Sequence, residues 1–220
     1  MKNIAKEASM GTSILEREHV RDEQETRKKI IATAFEEIYL NGYHGASLNR
    51  IIEKSGFTKG ALYHYFPSKK ELALAAIEET ITLFLKTFWE QPLLNAENPL
   101  AALLNHIKNL PVIVFANCRV FDIKHGCPLN NLIQEMSPID EEFARTLEAL
   151  YNSWQNLITR VVERAREKGQ LRANIAPGNV AMFILSALEG CITAAKKSNS
   201  VETFTTCMRE LEVYVLSLAA

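Results

Sequence analysis

Apolar side chains recur along this chain at the spacing of helices from end to end. Ile30, Ile31, Ala34, Phe35, Ile38 and Tyr39 return every three or four positions, the period of one helical face. That helix is predicted to begin near Thr26 and to stop at Asn41-Gly42. Leu48, Ile51 and Ile52 mark a second, short helix, with Ser47 as N-cap candidate. Ser55-Gly56 ends it, since glycine suits the left-handed position just past a helix. Phe57 can plug the corner that follows. Thr58 is a second N-cap candidate, for a helix that turns Leu62 and Phe66 inward and leaves Lys59, Gly60, Tyr63 and His64 outward. Ser68-Lys69-Lys70-Glu71 is a capping box. It opens a long helix that runs to about Trp89 and closes at Pro92.

The second half continues in the same period. Pro99 to about Cys118 reads as a helix with a kink or break at Pro111. Residues 119–130 read as a loop punctuated by Gly126 and Pro128, and a short helix covers 129–136. Ser137 and Pro138 are expected to serve as N-cap and N1 of the next helix, whose stripe is Phe143, Leu147, Leu150, Trp154, Leu157 and Val161. Pro177 opens a helix that is apolar nearly all round from Val180 to Ala195. A last stripe follows at Val201, Phe204, Met208, Leu211, Val215 and Leu218. Two adjacent stripes of this kind predict four-helix packing with a second copy of the chain; burial against the preceding helices of the same chain is the alternative. The fold class is all-α: a flexible or partly helical arm over 1–25, a three-helix module over 26–70, and a larger helical domain over 71–220.

Helix, short glycine-containing turn, helix is the geometry that places a second helix in the DNA major groove. The same spacing also fits an ordinary surface helical hairpin. Lys59 can donate to guanine or phosphate, Gly60 allows a close backbone approach, and Tyr63 and His64 offer donors. The whole run GFTKGALYHYFPSKKEL closely resembles the signature of the tetracycline-repressor (TetR) family of bacterial transcriptional regulators, over roughly residues 26–75. By that resemblance Ser47, Thr58, Tyr63 and Lys69 correspond to phosphate clamps, and Asn49, Lys59, Gly60 and His64 to base-facing positions. Lys59-Gly60-Ala61 departs from the commoner small hydroxyl residues, which leaves the bases read open. The resemblance also implies a homodimer formed by the last two helices, here through Phe183, Leu188, Phe204, Met208, Leu211 and Val215. It further implies an effector cavity among the middle helices, with Phe84, Phe88, Phe115, Phe121, Cys127, Tyr151 and Trp154 as candidates. Aromatic residues at helical spacing equally serve a plain core.

Charge sharpens this picture. The 220 residues carry a formal net charge of −1, which does not mark a nucleic-acid binder. Residues 27–70, however, hold eight basic side chains against three acidic ones, +5, so the remainder carries −6. A basic module on an acidic body is the footprint of a DNA reader with a separate second domain. Arg27 and Lys28 are expected near the DNA backbone, and Lys2 and Lys6 of the arm could follow a groove. Glu7 interrupts any apolar signal segment. The longest uncharged apolar run, about 180–188, falls short of the ~18 residues a membrane span needs. A cytoplasmic, non-membrane location is expected.

Cys118, Cys127, Cys191 and Cys207 are dispersed, which argues against zinc and a disulfide framework. His106, His125 and the carboxylates show no ligand spacing, so no metal, cofactor or catalytic residue is expected. A cysteine enzyme built on His125 and Cys127 lacks a third, orienting group. Lys124 and His125 beside Cys127 would favour its thiolate and hence sensing of electrophiles or oxidants; a small buried hydrophobe is the plainer alternative. The favoured function is a ligand-responsive repressor of a palindromic operator on double-stranded DNA, released by a small hydrophobic or reactive effector. The alternative is an effector-independent DNA-binding protein that recruits a protein partner.

Overall fold

The computed structural model describes residues 2–114 and 121–220, with side chains from residue 23 onward. Ten α-helices are found there: α1 (Lys2–Gly45), α2 (Leu48–Ser55), α3 (Lys59–Tyr65), α4 (Lys69–Phe84), α5 (Gln91–Leu93), α6 (Pro99–Val112), α7 (Pro128–Met136), α8 (Glu141–Glu167), α9 (Pro177–Ser198) and α10 (Val201–Leu216). Among the described residues the single β contact is an isolated bridge between Leu171 and Ala219. The all-α expectation therefore holds. Helix α1 begins at Lys2, well ahead of Thr26; the stretch between them contains no proline to stop it. The side chains of Lys2 and Lys6 lie outside the described residues.

Local signals decide most boundaries in the N-terminal module. Gly42 interrupts α1 at φ 71°, and a Cβ there would come 2.7 Å from Glu135 Oε2. Only glycine fits both constraints. The Glu135 carboxylate accepts from the backbone N–H groups of Tyr43 and His44 at 3.0 and 2.9 Å, which ties α7 to the end of α1. Gly56 takes the predicted left-handed conformation, φ 75°, and the Thr58 hydroxyl accepts from Ala61 N–H. Ser47 has extended geometry ahead of α2, but its hydroxyl makes no cap bond. Ser68 accepts from Glu71 N–H as expected, whereas the Glu71 carboxylate receives the Ser68 hydroxyl at 3.0 Å rather than a backbone N–H.

Three features of the larger domain differ from expectation. The helix starting at Lys69 does not end near Trp89 but widens into an i→i+5 segment, Leu85–Glu90, and continues through α5. That wider turn brings Phe84 and Trp89, five residues apart, to the same side. Pro111 lies inside α6, and the helix ends one residue later at Val112, close to the expected break, rather than near Cys118. Helix α8 begins at Glu141 with Asp140 as its cap, accepting from Glu142 and Phe143 N–H. Ser137 and Pro138 form the preceding turn. Asp140 prevails because Lys70 reaches it from α4, with Nζ 2.8 Å from Oδ2. The pairing lowers the Asp140 pKa. It also joins the start of α4 to the start of α8.

Helix α9 packs on both α8 and α10, and α10 on α6. Phe204, Met208, Leu211, Val215 and Leu188 are buried to 4% exposure or less within this one chain. They are core residues here, so the stripe predicted to meet a second copy is covered by the chain's own helices. Phe183 is the member of that set left outside, 52% exposed. Beside it Met182, Val213 and Leu216 are also exposed, and the Phe183 ring lies 4.5 Å from Tyr214. Helix α9 is, by length and composition alone, apolar enough to cross a membrane, contrary to the count of its longest uninterrupted run. Packing on α8 and α10 buries 39% of that stretch.

Candidate nucleic-acid interface and buried cavity

Helix α3 buries Leu62, with Phe66 just beyond its end, against the module core. Its opposite face carries Lys59, Gly60, Tyr63 and His64, all exposed, with Asn49 and Thr58 exposed beside it and Ser47 half-buried. The expected reading positions thus share one end of the molecule. A Cβ on Gly60 would meet only Thr58 Oγ1, at 3.9 Å. Nothing inside the protein requires glycine there. Lys59 Nζ rests 5.8 Å from the Tyr63 ring centre, an extended arrangement free to reach outward.

Glu37, which the sequence did not single out, holds this surface from beneath. Its carboxylate is almost fully buried and accepts from Arg50 Nε at 2.6 Å and from Ser47 N–H at 3.3 Å. Lys54 Nζ lies 3.6 Å away. A buried carboxylate needs such compensation, so α2 is fixed on α1 by charge as well as by Ile51. Several basic residues counted toward DNA are engaged internally. Arg27 pairs with Glu79 on α4 and covers the Phe66 ring, and Lys28 pairs with Glu25. Lys69 reaches the His44 carbonyl at 3.4 Å and lies over the Tyr43 ring at 4.7 Å. Burial there lowers its pKa.

Between α4, the segment 85–90, α6, α8, α9 and α10 lies a cavity of about 40 Å³. Of the effector-cavity candidates, Phe84, Phe121, Cys127 and Trp154 line it, together with Trp89, Leu110 and Phe204. Phe88 packs on Phe84 at 5.1 Å, just outside. Tyr151 faces instead a shallow groove with Asn130, Ile133 and Glu148. Phe115 lies outside the described residues, as does Cys118. The surroundings of the half-buried Cys127 weigh against the reactive reading. Burial first, and then the neighbouring Glu189 carboxylate, push its pKa well up, so the protonated, unreactive form dominates. Burial outweighs the nearby basic residues; the His125 ring packs on Tyr39 at 5.6 Å.

Cavity and DNA-facing module share one polar junction. The Tyr39 hydroxyl, on α1, accepts from Asp122 N–H at 2.8 Å and shares its proton between the carbonyls of Asp122 and Gly126, both at 2.9 Å. Phe121 packs edge-on against the Tyr39 ring and against Phe84. The loop 121–127 therefore lines the cavity with Phe121, Gly126 and Cys127 while being bonded to the helix that braces α2 and α3.

A basic helix-turn-helix surface joined to a separate helical body is what the comparisons also find. Residues 30–76 match the model for bacterial regulatory proteins of the tetR family, and residues 104–211 that for the tetracyclin repressor-like C-terminal domain. This chain belongs to the TetR family. It is 35% identical to an HTH-type transcriptional regulator in the lacX 3' region of Lactococcus lactis subsp. lactis, over 60% of this chain and 66% of that protein. It is 30% identical to the HTH-type transcriptional regulator YxaF of Bacillus subtilis (strain 168), over 73% of this chain and 85% of that one. A TetR transcriptional regulator structure from Chloroflexus aurantiacus J-10-FL superposes with a TM-score of 0.77 at 22% identity, covering 90% of this chain and 98% of that chain. The protein is a TetR-family transcriptional regulator, with a DNA-binding helix-turn-helix at its N-terminal end.

Proposed function

We propose that this TetR-family member is a repressor that binds a palindromic operator as a homodimer and is released when a small apolar effector enters the cavity. The observation that carries the reading is the Tyr39 junction. Enlarging a 40 Å³ cavity displaces Phe84 or Phe121, and Phe121 lies on a loop bonded to α1 through Tyr39. Close-packed groups transmit such a displacement rather than absorb it. The module carrying α3 then moves with α1. The dimer forms through the exposed patch of Met182, Phe183, Val213 and Leu216 rather than the buried stripe, since a monomer seldom leaves such a patch open without a use for it.

The test selects binding sites from a random DNA library. It then measures operator affinity with and without compounds that raise the melting temperature in a thermal-shift screen. The expected result is a two-fold symmetric site, half-sites about 34–36 Å apart or a multiple, with release by at least one stabilising compound. Tyr39→Phe should retain operator binding and lose much of that release. Undiminished release in Tyr39→Phe would place the coupling elsewhere. A second reading draws on the same small volume: a chain with almost no free cavity suits an effector-independent regulator that recruits a protein partner. Silence across the thermal-shift screen would favour it.

A further inference from the structure

The polar atoms around the cavity restrict what can occupy it. Trp89 and Trp154 both line it, and their indole Nε1 atoms are buried without any hydrogen-bond partner. The two rings meet edge-on at 5.1 Å. His106 meets Trp89 at 4.5 Å from the other side, and its Nε2 is likewise buried and unpartnered. Buried N–H donors are nearly always satisfied, because leaving one unpaired forfeits its hydration without return. Trp89 and Trp154, which both line the cavity, therefore carry two unsatisfied indole donors. The rest of that wall is aliphatic and aromatic, and no lysine or arginine is among its described residues.

We infer that the cavity selects a neutral, mostly apolar molecule carrying a carbonyl-type acceptor, which the indole N–H groups of Trp89 and Trp154 receive. This rests on the effector reading of the cavity and adds the chemical class. An anionic acceptor is disfavoured because no countercharge is found among the described residues that line it. Burial lowers the His106 pKa to about 4, so the imidazole is neutral at physiological pH. Indole donors discriminate against a shape-matched hydrocarbon for the same reason that any built polar site rejects a ligand lacking its partner.

The test uses acetophenone, ethylbenzene and benzoate as probes of similar size: a neutral ketone, its counterpart without an acceptor, and an anion. The sequence contains two tryptophans, so the side-chain ¹H–¹⁵N spectrum holds two indole signals and both report on this cavity. Acetophenone should bind roughly tenfold tighter than ethylbenzene, as one added hydrogen bond provides. It should also shift at least one indole proton downfield, which ethylbenzene should not do. Trp154→Phe and Trp89→Phe should reduce the ketone preference while retaining ethylbenzene. Equal binding of ethylbenzene and acetophenone would overturn the assignment of the donors and leave the cavity an effector site. Tightest binding by benzoate would overturn the neutrality. If none of the three moved either indole signal, the cavity would not be a ligand site, and the effector part of the proposed function would fall as well.

Discussion

The two ends of this molecule solve different problems with similar helices. In the N-terminal module the limits of α2, of α3 and of the start of α4 are set by neighbours in sequence: Gly56 in the left-handed region, Thr58 capping α3, Ser68 capping α4. In the larger domain, partners sixty or more residues away fix where helices start and how they are joined. Asp140 caps α8 while bound to Lys70. Arg164 donates to the carbonyls of Leu94 and Ala96, closing the α5–α6 turn. The contrast teaches where a linear pattern carries functional information. The surface expected to meet DNA is a local construction, whereas the cavity and the exposed patch around Phe183 are products of assembly.

The largest effect that can sharpen this comparison contrasts two phenylalanines on adjoining helices. Phe204→Asp buries an unpaired charge in the core and should cost about 4 kcal/mol or more, enough to prevent stable folding. Phe183→Asp, on the exposed face of α9, should leave the helical circular dichroism intact and shift light scattering from dimer to monomer. A folded Phe204→Asp monomer would restore the original stripe as the interface.

The buried titratable groups of the larger domain come next. Burial raises Glu189 from 4.5 to about 7, and the neighbouring Cys127 and Asn130 offset it only in part. Between those pH values the folded state keeps a proton that the unfolded chain has released, so stability falls as pH rises. His106 is lowered from 6.5 to about 4. There the unfolded chain takes up a proton first, and stability falls as pH drops through that window. Each shift corresponds to about 3 kcal/mol, and the two slopes oppose one another between pH 4.5 and 6.5. Glu189→Gln removes one of them. Denaturant titrations should then show stability rising with pH over that interval by about 3 kcal/mol more than in the parent. An unchanged profile would mean that Glu189 does not hold its proton in the folded state.

At the other end a smaller change separates local folding from function. Gly60 lies within α3 with open space around its Cα, and replacing it by alanine should stabilise the module by up to about 1 kcal/mol. The same Gly60→Ala change should weaken operator binding if DNA approaches the backbone there. A variant both more stable and equally tight would take Gly60 off the reading surface.

How far the sequence could be read follows the same division. Leu62 and Phe66 inward with Lys59, Tyr63 and His64 outward is a matter of period alone, and it holds. Glu37 could not be found, because its partners Arg50 and Lys54 sit on another helix and a lone glutamate on α1 carries no signature. The Phe204, Met208, Leu211 and Val215 stripe was visible, but a heptad records only that one face is covered. Whether α6 and α9 or a second copy covers it is decided by packing. Four of the seven cavity candidates line the cavity: Phe84 and Trp154 because aromatic residues at helical spacing fall inward, and Phe121 and Cys127 because the loop that carries them is bonded to Tyr39. Trp89 escaped because the widening at Leu85–Glu90 moves it by a fraction of a turn and leaves no mark in the residue pattern. Ser137-Pro138 gave a strong start signal three residues early, overruled by the Lys70–Asp140 pair.

Lys59 tests most directly whether α3 is the reading element. Fluorescence anisotropy with the selected operator and with a scrambled duplex, over a range of salt, should show Lys59→Ala weakening the operator complex. A loss of roughly 1–3 kcal/mol confined to the operator marks a base contact; an equal loss on both duplexes, with a salt slope lower by about one, marks a phosphate contact. Affinity for both duplexes unchanged from the parent would contradict the placement of α3 against DNA.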